Sequence, residues 1–112
     1  METLQENVVK VLKFIKLCKS NILLKGNTTF IGSKDKIIKN THSSSELAVI
    51  GSGDVLAGII ASLVGDNKMS IIEAAAAAAW LHGDIARKYG KGLISEDLIN
   101  GIQSGLERLA KK

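Results

Sequence analysis

The stretch Gly51-Ser52-Gly53-Asp54-Val55-Leu56-Ala57-Gly58 constrains this chain more than any other. Two glycines one residue apart permit a tight backbone turn, and the run passes at once into apolar, helix-forming sequence. A helix that begins there leaves backbone N–H groups without intrahelical acceptors, and such groups attract anions. Asp54 adds a carboxylate where the helix begins, placed to activate or orient an attacking hydroxyl. The combination suits phosphoryl transfer, in which positioning and charge stabilisation supply most of the catalysis. The plainer alternative is that Asp54 only caps a helix after a glycine turn, because Gly, Ser and Asp are common at helix starts.

At 112 residues the chain is one small domain or a portion of a larger one. Its net charge of +4 comes mainly from scattered lysines, of which Lys10, Lys13, Lys16 and Lys19 are the densest cluster. Aromatic residues make up only 4%, too few to interleave with that cluster as base-stacking platforms, so the lysines read as a solvated face and nucleic acid is not an expected partner. The lone cysteine, Cys18, forms no internal disulfide and reads as a small core residue. The N-terminus is polar and acidic, unlike a signal peptide, and no apolar run has membrane-spanning length. A cytoplasmic protein without a membrane partner is expected. Two histidines and one cysteine, widely spaced, offer no zinc site.

Periodicity gives a short amphipathic helix over 7–19, with Val8, Val11, Leu12, Ile15 and Cys18 on its apolar stripe. Ile22-Leu23-Leu24 reads as a buried strand ending at Lys25-Gly26. Residues 28–31 and 36–39 are β-prone and flank Gly32-Ser33-Lys34-Asp35, which reads as a hairpin turn, with a polar loop over 40–46 after it. A helix is expected over 55–64, broken by Gly65-Asp66-Asn67-Lys68. Ser70 and Glu73 form a capping box that starts a long helix through six alanines, Trp80 and His82 to Tyr89, terminated by Gly90 and Gly92. His82 reads as a packed histidine rather than a base. Ser95 is expected to cap a last helix, with Glu96 and Asp97 in its first turn and Arg108, Lys111 and Lys112 at its end complementing the macrodipole. Ala57, Gly58 and Ala61 on one helix, and the alanines 74–79 on the next, imply close interhelical approach. The order is an α/β layer, a few strands and a hairpin followed by three helices, with too few strands to cover its helices.

Gly-Ser-Gly-Asp-Val-Leu-Ala-Gly resembles the anion-hole motif of the ribokinase-like superfamily, and specifically that of the ATP- or ADP-dependent NAD(P)H-hydrate dehydratases, the carbohydrate-kinase-like domain of YjeF-type proteins. Sugar kinases of the superfamily usually place an aromatic residue two positions after the Gly-Asp pair, where this chain has Val55-Leu56. Leu24-Lys25-Gly26 with Thr29, Leu81-His82-Gly83, and the run from Gly92 to Ile99 resemble further segments of that family in the same order. The resemblance implies that residues 1–112 are the C-terminal portion of a ribokinase-like fold.

It also implies a repair reaction. Hydrated NADH or NADPH has its ring hydroxyl phosphorylated by ATP or ADP, and phosphate loss restores the dihydronicotinamide. By resemblance Asp54 is the catalytic base, the amides of Gly51, Ser52 and Gly53 form the anion hole, and Lys25, Gly26 and Thr29 line the nucleotide site. Mg²⁺ is expected to help neutralise the phosphates, without a protein metal site of its own. The family's Asn-Pro-Gly and its small residues before the anion hole are replaced here by Ser44-Ser45-Glu46 and Val49-Ile50, so Ile50 is expected to crowd the phosphates and Glu46 to add negative charge near them. The missing N-terminal half points to a separately encoded partner chain or a homo-oligomer. The rivals are an inactive, truncated remnant of the family and a small-molecule kinase of the same superfamily.

Overall fold

The computed structural model describes residues 4–18, 20–26, 28–65 and 67–111. The chain runs through α1 (Leu4–Cys18), β1 (Ile22–Leu24), β2 (Thr29–Gly32), β3 (Ile37–Asn40), a short 3-10 helix (Ser45–Leu47), α2 (Ser52–Gly65), α3 (Ile71–Tyr89), α4 (Ser95–Asn100) and α5 (Ile102–Ala110). The three strands form an antiparallel sheet in the order β1-β2-β3. Leu23 pairs with Ile31, and Ile31 in turn with Ile38, so a row of apolar side chains crosses one face.

Strand β2 is buried along its whole length, which identifies it as the centre of the fold. Side chains alternate along a strand. Ile31 therefore meets Ala75 and Ala79 of α3, while the other face of β2 turns to α1, where Gly32 lets Val11 and Ile15 close onto the backbone. The hairpin turn lies one residue later than expected, because Gly32 belongs to the strand, and the Ser33 amide bonds the Lys36 carbonyl at 2.8 Å.

Helix α3 packs against α2, α4, α5, the short 3-10 helix and strands β2 and β3, while α1 rests on β1 and β2. The alanines of α3 let β2 and α2 approach closely, and a second apolar cluster joins Leu56 and Ile59 of α2 to Ala78, Leu81, Ile85, Leu93 and Leu98. Each fully buried leucine of this kind contributes about 1.5–3 kcal/mol. Ser70 caps the helix, but the box closes only on one side: Ser70 Oγ accepts the Glu73 amide at 3.3 Å, while the Glu73 carboxylate takes up that hydroxyl at 2.8 Å and not the Ser70 amide. Gly90, at φ +84°, ends the helix.

Several expectations are corrected. On α1, Val11 is buried but Leu12 is exposed, so its apolar stripe is narrower than the periodicity suggested. Strand β1 is half-buried rather than buried, since it lies at the edge of the sheet. Ala57, Gly58 and Ala61 face outward; α2 meets α3 through its larger residues instead, and a Cβ at Gly58 would touch nothing within 4 Å. The close approaches are at other glycines. The last helix is interrupted at Gly101, a residue of low helix propensity whose missing Cβ makes room for Ile85. Ser95 is not the cap: Ile94 is, its amide donating to the Asp97 carboxylate at 2.9 Å. Lys19, Asp66, Lys112 and the side chain of Cys18 lie outside the described residues. Among the described residues no helix is long and apolar enough to cross a membrane.

Among the glycines the closest approach is at Gly83, where a Cβ would come within 1.9 Å of the His42 carbonyl oxygen. Gly83→Ala is therefore expected to destabilise the chain by about 3 kcal/mol or more, the upper end for overpacking. Gly58→Ala, on the open face of α2, should instead add up to about 1 kcal/mol through helix propensity. Urea denaturation of both variants checks the contrast, and equal behaviour of the two would contradict the packing described.

Candidate functional site

Helix α2 begins at Ser52, three residues before the position read from periodicity, so Asp54 belongs to its first turn instead of preceding it. The turn ahead of it depends on Gly51, whose φ of +86° disfavours any side chain and whose Cβ would meet Ser95 Oγ at 2.8 Å. Ser95 Oγ donates to the Ile50 carbonyl, so the start of α4 is bolted to the glycine turn. Ile50, expected to crowd the phosphates, is 98% exposed beside the turn. Glu46 is half-buried in the short 3-10 helix, its amide bonded to Ser44 Oγ at 3.1 Å.

Ser52 is held on three sides. Its hydroxyl donates to the Leu47 carbonyl at 2.7 Å, its amide to the Val49 carbonyl at 3.3 Å, and its carbonyl accepts from His82 Nε2 at 2.9 Å. The Ser52 amide is thus committed to the turn, which differs from its expected place among the free donors. The amides of Gly51, Gly53 and Asp54 have no acceptor among the described residues, so two of the three expected donors, Gly51 and Gly53, stay free. They project from the positive end of α2.

Lys25 follows β1 and Thr29 opens β2, so pairing of the two strands sets them close together. The Lys25 ammonium reaches the first turn of α2, lying 3.8 Å from where a Cβ on Gly53 would stand. A cavity of about 260 Å³ is lined by Lys25, Gly26, Thr29, the serines 43–45 and His82. Asp54 lines a different cavity, of about 740 Å³, walled by apolar residues of α2, α4 and α5 such as Ile59, Leu63, Ile102 and Leu106. The first turn of α2 therefore separates a polar, cationic hollow from an apolar one carrying the carboxylate. Among the described residues no three His, Cys, Asp or Glu side chains converge to hold a metal ion. A further hollow, of about 1370 Å³ along α1, contains none of these residues.

Two titratable groups support the arrangement from α3. Burial pushes the His82 pKa below 6.5; the Ser52 carbonyl opposes that shift and the charge of Lys25 adds to it. His82 is a neutral, packed ring that donates from Nε2, as its apolar neighbours suggested. Burial alone would raise the Asp84 pKa, but hydrogen bonds from His42 and Arg108, with their charges, outweigh it and hold the carboxyl below 3.8. Arg108 thus serves Asp84 and does not simply complement a helix end. Sequence reasoning passed over Asp84 and His42. The available signal was the placement of Asp84 between Leu81 and Ile85, on the buried stripe of α3, where a lone carboxylate demands partners.

Residues 2–103 match the family model described as NAD(P)H-hydrate dehydratase. The chain is 46% identical over 68 residues to an ADP-dependent (S)-NAD(P)H-hydrate dehydratase of Neisseria meningitidis, a match covering 60% of this chain and 23% of that protein. It is 38% identical over 85 residues to the enzyme of the same name from Natrialba magadii, covering 72% of this chain and 33% of the relative. A bifunctional NAD(P)H-hydrate repair enzyme Nnr of Dictyoglomus turgidum is 30% identical over 119 aligned positions, covering 100% of this chain and 23% of the relative. The chain spans a third or less of the length of these relatives.

The His82 shift has a definite sign. Its folded pKa lies below 6.5, so the contribution is fully present above that pH and is lost as pH falls toward the folded pKa. Thermal stability should decline below about pH 6.5 with a slope of at most ~1.4 kcal/mol per pH unit from this residue. In His82→Gln, which keeps an N–H donor for the Ser52 carbonyl, that component of the decline should vanish. Melting curves from pH 5 to 8 test this, and superimposable pH profiles for the two proteins would contradict it.

Proposed function

The chain belongs to the NAD(P)H-hydrate dehydratase family, and from that membership we propose that it carries the phosphoryl-transfer site of an ADP-dependent repair of hydrated NADH or NADPH. The observation that carries the proposal is the start of α2, with Lys25 on one side, Asp54 on the other and the unbonded amides of Gly51, Gly53 and Asp54 at the turn.

Lys25, Gly26 and Thr29 receive the nucleotide in the smaller cavity. Lys25 and the amides of Gly51 and Gly53, joined by that of Asp54, hold the transferring phosphoryl group, while Ser52 anchors the turn. The hydrated ring occupies the apolar cavity, where Asp54 takes the proton of its hydroxyl. The hydroxyl oxygen attacks the terminal phosphorus of ADP and AMP leaves. Loss of phosphate from the ring then restores the dihydronicotinamide. ATP in place of ADP would leave as ADP by the same displacement. With no cluster of protein ligands among the described residues, Mg²⁺ fits as an ion carried by the nucleotide phosphates, where it neutralises charge.

Such a site needs more wall than this chain supplies. The outward small-residue face of α2 and the two edge strands β1 and β3 are surfaces on which a separately encoded chain, or a second copy of this one, would complete the fold. A cytoplasmic setting, where both nicotinamide coenzymes and nucleotides are plentiful, accords with the reaction.

Recovery of NADPH absorbance from NADPH hydrate, with Mg²⁺ and either ADP or ATP, tests the proposal. Recovery is expected with ADP, falling by roughly 10²–10⁴ in Asp54→Asn as befits loss of a general base. Lys25→Ala should raise the nucleotide KM by about tenfold, the loss of one charged contact. Absence of recovery with both nucleotides would overturn the activity for this chain alone and leave the inactive-remnant reading.

A further inference from the structure

One wall of the nucleotide cavity is irregular chain, residues 43–45 with Leu47 and Ala48. Its internal hydrogen bonds are local: Ser43 to Thr41, Leu47 to Ser44, Ala48 to Ser45. Such bonds shape a loop without fixing its place on the protein. At its far end the Leu47 carbonyl is tied to Ser52. At its near end the attachment is His42.

Three contacts seat His42. Its Nε2 donates to Asp84 Oδ1 at 2.8 Å. Its ring stacks on Trp80, with centroids 4.8 Å apart and planes inclined by 12°. Its carbonyl rests in the space left by the missing Cβ of Gly83. Asp84 is 3% exposed and its second oxygen accepts from Arg108 Nε of α5. A buried carboxylate is costly unless its charge is compensated, and a well-packed apolar residue would serve stability at least as well. What an apolar residue would not do is orient an imidazole on one side and a guanidinium on the other. Asp84 spends its two oxygens joining the C-terminal helix to the start of the cavity wall.

We propose that Asp84 is a positioning residue for nucleotide binding: acting through His42, it holds the 41–48 segment in the form that fits the nucleotide. The proposal rests on the nucleotide reading of the Lys25–Thr29 cavity given above. Asp84 does not itself line that cavity, and its effect passes through the loop.

Calorimetric titration of the 112-residue chain with MgADP, in the wild type and in His42→Ala, His42→Gln and Asp84→Asn, tests it. Glutamine offers an N–H donor that reaches Asp84, alanine offers none, and asparagine presents its own N–H to one of the two donors it must accept. Wild type and His42→Gln are expected to agree within about twofold, while His42→Ala and Asp84→Asn bind about tenfold more weakly, the size of one charge-assisted hydrogen bond. Without nucleotide, amide exchange across 43–48 should quicken by about tenfold in His42→Ala and stay unchanged in α2 and α3, which separates loop seating from general loss of stability. Should Asp84→Asn not fold, the alanine–glutamine pair at His42 still decides. Equal affinity in all variants alongside wild-type binding would overturn the positioning role and leave the nucleotide site standing. Absence of MgADP binding by the wild type would overturn the nucleotide reading, and this proposal with it.

Discussion

The hydrogen bond from the buried His82 ring to the Ser52 carbonyl is the contact on which the site depends. A helix N-terminus binds an anion only if its amides are aimed and kept free, and that requires the preceding turn to be fixed by something other than those amides. Here the fixing is done by Ser52, through its hydroxyl to Leu47 and its carbonyl to His82. Because His82 is neutral in the fold, it donates to that carbonyl without placing a second fixed cation beside Lys25. The same helix α3 receives the hairpin through its alanines and the 41–48 segment through Gly83 and Asp84. One helix thereby sets the relative positions of the glycine turn, the lysine-bearing strand end and the 41–48 segment.

Much of this was legible in the sequence, for reasons that can be named. The strands, the hairpin and the long α3 announce themselves through local chemistry: β-branched runs around a Gly-Ser-Lys-Asp turn, and a Ser70–Glu73 cap ahead of a long alanine-rich helix. The Gly51–Asp54 turn was legible because it combines backbone freedom with a charge. What failed were inferences about partners distant in sequence. Small residues at helical spacing on α2 suggested a packed face, yet Ala57, Gly58 and Ala61 are exposed. Ser95 looked like a cap because it precedes two acidic residues, whereas its hydroxyl is engaged 45 residues away at Ile50. Local pattern cannot distinguish these outcomes, since each is decided by which remote element happens to arrive.

The exposed face of α2 is informative in a second way. A helix that is apolar all round is normally enclosed, and α2 carries a single charged residue, Asp54, among the described positions. Its burial on one side only agrees with a chain that spans a third or less of its relatives' length. The site lies at that open boundary: Asp54 is exposed, and its cavity is bounded by this chain on one side. The Gly51–Asp54 turn, by contrast, is held by contacts within this chain, to Leu47, Val49, His82 and Ser95.

The most direct measurement is a titration of the ¹⁵N-labelled chain with MgADP, followed by amide chemical shifts. If the start of α2 is the phosphate site, the largest shifts fall on Gly51, Gly53 and Asp54, with smaller ones at Lys25, Gly26 and Thr29. Shifts confined to α1 or spread evenly over the lysines would contradict the account, as would none at all at saturating nucleotide.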